Sequence, residues 1–230
     1  MPGMRKTIVA VMVWLVPVSA APFVAAQQTA TPATQAAVPF ENEIKAYEQA
    51  DKTNPPPREA NLFVGSSSIR LWKTMAEDLP GKNVINRGFG GSQIADSVRF
   101  ADRIVIPYHP ARIFFYAGDN DLNAGKSPET VAGDFAAFEK KVHAALPDVD
   151  IYFISAKPSP SRAKIVDKDR ELNRLIVQYS HDHSHIGYVD VFTPMLKDGQ
   201  MRPELFVTDM LHMNHQGYEI WAKLIAPLLK

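Results

Sequence analysis

The chain has 230 residues, 46% of them hydrophobic and 22% charged, with 25 basic against 25 acidic side chains and a formal net charge of zero. This is ordinary globular composition, and the lack of a basic excess argues against a nucleic-acid partner. Cysteine is absent, which excludes a thiol nucleophile, a thiolate metal site and a disulfide framework.

In chain order, residues 1–26 read as a secretory signal peptide. Arg5 and Lys6 give a short positive start, "TIVAVMVWLVPVSA" an apolar core, and Val24 and Ala26 small residues before a cleavage point at Gln27. Ala20 offers a second cleavage position. Pro17 and Pro22 interrupt the apolar run, which falls short of the roughly 20 residues that span a bilayer. The expectation is therefore a secreted or periplasmic protein with no stable membrane insertion once the signal is removed. "QQTATPATQAAVP" (27–39) is small, polar and proline-punctuated, a flexible linker. Residues 40–230 carry neither a repeat nor a second linker and read as one domain.

Five short apolar runs follow: "NLFVG" (61–65), "NVINRG" (83–88), "RIFFYAG" (112–118), "DIYFISA" (150–156) and "IGYVDVF" (186–192). Amphipathic segments surround them at roughly 42–51, 68–78, 93–104, 127–146, 166–181 and 214–229. The clearest, 127–146, opens on Ser127-Pro128-Glu129 and repeats its apolar residues at helical spacing. Strands that are apolar on both faces and alternate with helices predict an α/β fold with a parallel sheet covered on both sides. Ligands bind beyond the carboxyl ends of such strands.

Chemically apt residues collect at those ends. Gly65, Ser66, Ser67 and Ser68 follow the first strand, and "NRGFGGSQ" with Gly88, Gly90 and Gly91 ends the second. "GDNDLN" with Asn120 and Asp121 follows the third, and "DMLHMNHQGY" supplies Asp209 and His212. Each stretch alone suits an ordinary turn or helix cap; coincidence of all four at one edge is improbable. A serine hydroxyl needs a base to become a nucleophile, and the base needs a carboxylate to fix its tautomer. The developing oxyanion needs donors, such as an accessible glycine N–H and a side-chain amide.

The set Ser67, Gly91, Asn120 and Asp209-x-x-His212 resembles the four blocks of the SGNH hydrolases, also called the GDSL esterases and lipases. "FVGSSSIRLW", "NRGFGGS", "YAGDNDL" and "DMLHMNHQGYEIWA" carry the resemblance over most of the chain. It is closest to the branch with the catalytic subunits of platelet-activating-factor acetylhydrolase. The resemblance implies a three-layer α/β/α sandwich with a five-stranded parallel sheet, flavodoxin-like, and acyl-ester hydrolysis without metal or organic cofactor. It makes Ser67 the nucleophile, His212 the base and Asp209 its orienter. The N–H groups of Ser67 and Gly91 and the side chain of Asn120 become the oxyanion hole. One departure stands out: the family's usual aspartate before the nucleophile is Ser66 here, expected to hold the loop through its hydroxyl. The absence of a Gly-x-Ser-x-Gly run argues against the other common hydrolase elbow.

Other residues admit simpler roles. His181, His183 and His185 fall in a polar connection, and His215 suits a polar contact at the start of the last helix. Trp72 and Trp221 read as core, Asp121 as loop support, and Arg87 and Phe89 as candidates for substrate contact. The substrate is then a small-molecule or carbohydrate ester. A carbohydrate O-deacetylase on the same machinery and a non-catalytic binding protein with this fold are the competing readings.

Overall fold

Leu62-Phe63-Val64 is apolar at every position, so a strand there is satisfied only by burial on both faces. The same logic repeats at 113–116 and 151–154, and the chain answers it with alternating strands and helices. In the computed structural model, which describes Val38–Lys230 together with Gly3 and Met12, the order is α1 (Glu41–Thr53), β1 (Asn61–Gly65), α2 (Ser67–Arg70), α3 (Met75–Asp78), β2 (Val84–Gly88) and α4 (Ile94–Ile104). Next come β3 (Arg112–Tyr116), α5 (Asp119–Asn123), α6 (Pro128–Ala145), β4 (Asp150–Ile154), α7 (Val166–Asp182) and β5 (Ile186–Val189). A small hairpin of β6 (Leu196–Lys197) and β7 (Gln200–Met201) precedes α8 (His215–Ile225). The expected signal peptide and nearly all of the linker lie outside the described residues. The chain divides into two units, Met1–Ala36 and Ala37–Lys230, and the second holds all the elements named here.

The five main strands form one parallel sheet in the order β2-β1-β3-β4-β5. On one face Leu62, Val64, Ile113 and Phe115 pack with Ile44, Ala101, Phe135 and Ile176 of α1, α4, α6 and α7. On the other, Phe63, Phe114 and Tyr116 pack with Trp72, Met75, Tyr218 and Trp221. Period-two alternation along each strand thus feeds two cores, and the result is the three-layer α/β/α sandwich expected. Among the described residues no helix is long and apolar enough to cross a membrane.

Strand order reverses at β1, which has β2 on one side and β3 on the other, so a crevice opens above the carboxyl ends of β1 and β3. Gly65 closes the bottom of that crevice. Its φ of +130° is costly for any residue with a Cβ, and a Cβ there would lie 1.9 Å from the Tyr116 carbonyl oxygen. The next residue, Ser66, donates its N–H to that same carbonyl at 2.8 Å.

Two sequence expectations change. The helix at 68–78 is two short helices, because Asp78 accepts hydrogen bonds from both the Trp72 indole (2.6 Å) and the Thr74 hydroxyl (2.7 Å), and the second helix starts afresh at Met75. The last three strands stop earlier than their apolar runs. Gly118, at φ +119°, turns the chain after β3 directly into α5, while Ser155 Oγ accepts the N–H groups of Val191 and Phe192 and ends the β4–β5 edge.

Candidate active site

The segment after β1 has to leave a buried strand and begin a helix at once. Ser66 is extended and Ser67 opens α2, so the N–H of Ser67 is one of the first-turn donors a helix leaves unpaired. Among the described residues neither this N–H nor that of Gly91 donates to another protein group. Ser67 is half-buried, whereas Ser66 and Ser68 are buried. Ser68 is turned into the domain, its carbonyl accepting the Tyr218 hydroxyl at 2.9 Å. Ser66 differs from expectation: its backbone anchors the turn, while its buried hydroxyl has no protein hydrogen-bond partner.

Asp209 and His212 sit on a loop closed at its base by a bridge between Phe206 and Met213. Met210, at φ +54°, reverses the chain between them. Asp209 Oδ1 accepts the backbone N–H groups of Leu211 (2.9 Å) and His212 (2.8 Å), which leaves Oδ2 for the His212 Nδ1–H at 2.6 Å. With Nδ1 protonated, Nε2 is the acceptor and takes the Ser67 hydroxyl at 3.0 Å. Partial burial works against ionisation of Asp209, but the His212 and Leu211 N–H groups and the imidazole outweigh it and hold the carboxyl down at about 2. Asn214, not Asp209, caps α8, accepting the Gly217 N–H at 3.2 Å.

The second and third blocks are tied to the end of β1 and to each other. Gly65 O accepts the Phe89 N–H at 2.9 Å, and Ser92 O accepts the Asn120 Nδ2–H at 2.9 Å. Gly91, exposed and at φ +77°, has open space where a Cβ would sit. Asp121 supports the loop as expected, accepting the Ile94 N–H (3.2 Å) and the Lys126 ammonium (2.9 Å); burial pushes its carboxyl up despite Lys126.

Arg87 and Phe89 do not serve the site. Arg87 turns to Asp51 and the Tyr108 hydroxyl, and Phe89 is fully buried between Phe40 and Phe100. His215 contacts Asp78 and Glu219 at the start of α8. His183 stacks on Tyr179, and His185 pairs with Asp150. Among the described residues no His, Cys, Asp or Glu group could hold a metal ion.

Sequence reading missed the segment after β4, "SAKPSPSR" (155–162). Arg162 donates from Nη2 to Asn120 Oδ1 at 2.7 Å, and Ser161 N donates to Met210 O at 3.0 Å. Beneath them Asp119 Oδ2 accepts the Tyr116 hydroxyl (3.0 Å) and the buried Lys157 ammonium (3.2 Å), with Arg162 Nη1 also 3.2 Å away. Burial alone would raise the Asp119 carboxyl, but the Lys157 and Arg162 charges prevail and lower it. The strand-end rule selects this segment, which is polar and follows a strand, but nothing in it singles out Arg162.

A parallel α/β sandwich that brings hydroxyl, imidazole and carboxylate into one hydrogen-bonded line at its switch point defines a hydrolase, here an ester-hydrolysing enzyme. The profile of the GDSL-like lipase/acylhydrolase family matches residues 63–220, and the chain belongs to that family. Its fold is similar to that of a Streptococcus pneumonia protein named for platelet activating factor, at 20% identity and TM-score 0.72, covering 82% of this chain and 92% of that one. A GDSL-like lipase from Bacteroides thetaiotaomicron is similar at 22% identity and TM-score 0.67, covering 80% of this chain and 96% of that one. So is a carbohydrate esterase family 3 protein from Talaromyces cellulolyticus, at 17% identity and TM-score 0.59, covering 74% and 95%. No curated protein sequence matches the chain.

Proposed function

We propose that this chain is an exported serine esterase acting on acyl esters with short, acetyl-sized acyl groups. Ser67 Oγ attacks the ester carbonyl carbon while His212 Nε2 takes the hydroxyl proton, and Asp209 holds the imidazole in that tautomer and stabilises its charged form. The oxyanion of the tetrahedral intermediate receives the N–H groups of Ser67 and Gly91 and the remaining Nδ2–H of Asn120. Collapse expels the alcohol with the proton from His212. A water molecule, deprotonated by the same imidazole, then releases the acid and restores Ser67. No metal or organic cofactor takes part.

The observation that carries this reading is the line from Asp209 through His212 to Ser67, at 2.6 and 3.0 Å. Export rests on the N-terminal signal pattern of residues 1–26. A fluorophosphonate probe tests the mechanism: a covalent adduct on the Ser67 peptide, together with turnover of acetyl esters, is the expected result. No adduct and no turnover would return the chain to the non-catalytic binding reading.

Carbohydrate O-deacetylation is the second reading, supported by the openness of the site. The Asp209 side chain is 48% exposed and Gly91 faces open space, so the rim leaves room for a bulky alcohol such as a sugar. A panel of acetylated sugars beside simple acyl esters separates the two.

A further inference from the structure

Asn120 is held by two partners, each of which can act in only one sense. Arg162 Nη2, 2.7 Å from Asn120 Oδ1, belongs to a guanidinium that has donors and no acceptor. Ser92 O, 2.9 Å from Asn120 Nδ2, is a carbonyl that has no donor. Amide oxygen and nitrogen are easily interchanged in orientation, but here only one orientation satisfies both neighbours. It leaves one Nδ2–H uncommitted among the described residues. The reversed amide would set a carbonyl oxygen where an oxyanion develops.

From this geometry we infer that Arg162 is a positioning residue for ester hydrolysis, fixing and polarising the Asn120 amide so that its free N–H faces the oxyanion. This rests on the serine-esterase reading above. The guanidinium has a buried counter-charge beside it. Asp119, the residue before Asn120, lies 3.2 Å from Arg162 Nη1 and is anchored by Lys157 and Tyr116. Arg162 is thus paired with the carboxylate of the residue that precedes the amide it holds, and a cation on Oδ1 strengthens the donor at the other end of the amide.

The test is a double-mutant cycle on full-length enzyme with an acetyl ester, using Arg162→Met, Asn120→Ala and the pair. Arg162→Met should lower kcat about tenfold, part of the loss expected for an oxyanion donor, with KM little changed. In the Asn120→Ala background the same substitution should cost almost nothing, because its target is gone. A merely structural residue would lower activity in both backgrounds alike.

A kcat loss that persists in full without Asn120, or a rise in KM alone, overturns the inference in favour of direct substrate contact. An Arg162→Met enzyme with wild-type kcat overturns it as well. Should Arg162→Met fail to fold, Arg162→Gln runs the same cycle under the same criteria. Failure of the underlying reading looks different: Asn120→Ala itself would keep full kcat, or Ser67→Ala would still turn over.

Discussion

The imidazole of His212 meets the hydroxyl of Ser67 at 3.0 Å although 145 residues separate them. Nothing local brings them together; the sheet does, by placing the end of β1 beneath the loop before α8. Ser67→Ala should therefore abolish both turnover and fluorophosphonate labelling while the thermal melting curve stays near wild type. Mass spectrometry of the labelled peptide checks the position, and an adduct on Ser68 would displace the assignment.

Asp209 stays ionised down to about pH 2, so acid inactivation between pH 4 and 8 is not its titration. kcat/KM should therefore carry no step from the Asp209 carboxyl over that range. Asp209→Asn should fold normally and lose several orders of magnitude in kcat, about 10⁴ where this substitution has been made in a comparable triad. Stopped hydrolysis assays across this pH range, with circular dichroism of the variant, decide both points.

Asn120→Ala should lower kcat by about 10²–10³ with a small change in KM, as removal of one oxyanion donor does. Labelling by the fluorophosphonate should continue more slowly. A change confined to KM would make Asn120 a substrate-binding residue instead.

Asp169 on α7 is buried, with Oδ1 unpaired; burial, then the Asp119 charge, raises its carboxyl to about 8. The folded state therefore keeps this proton between pH 4 and 8 while the unfolded chain loses it. Stability falls as pH rises through that window, by at most about 1.4 kcal/mol per unit from this group. Asp209 acts with the opposite sign and only below pH 4, so the two windows do not overlap. Asp169→Asn should flatten the fall of Tm between pH 5 and 8 and raise Tm at pH 8, read by calorimetry.

Ser66→Ala should change kcat by less than twofold and stability by under about 1 kcal/mol, since the buried hydroxyl it removes has no protein partner to lose. Urea unfolding and ester hydrolysis measure the two effects.

The four blocks were legible because each combines a strand end with residues whose chemistry is distinctive: a hydroxyl, an exposed glycine, an amide, a carboxylate three residues from an imidazole. Arg162 was not, because a lone arginine in "SPSRAK" has no spacing relation to Asn120, and only the pairing of β3 with β4 makes them neighbours. Arg87 and Phe89 illustrate the reverse error. Both belong to a site-forming stretch, yet strand alternation and core packing turn them away from the crevice. The break after Leu71 was hidden for a related reason, since Asp78 reaches back across the helical pattern to Trp72 and Thr74.

The hydrogen-bond mesh that ties Gly65 to Phe89, and Ser92 through the Asn120 side chain to Arg162, is built wholly from the protein's own groups. Around the Asp209 turn Val207 and Met210 stand 42% and 39% exposed, while their backbones carry the turn: Val207 N donates to His212 O, and Met210 O accepts from Ser161 N. Side chain and backbone at these two positions thereby have separate duties. Their side chains can vary at the surface without touching the backbone bonds that hold His212, provided that position 210 keeps its positive φ.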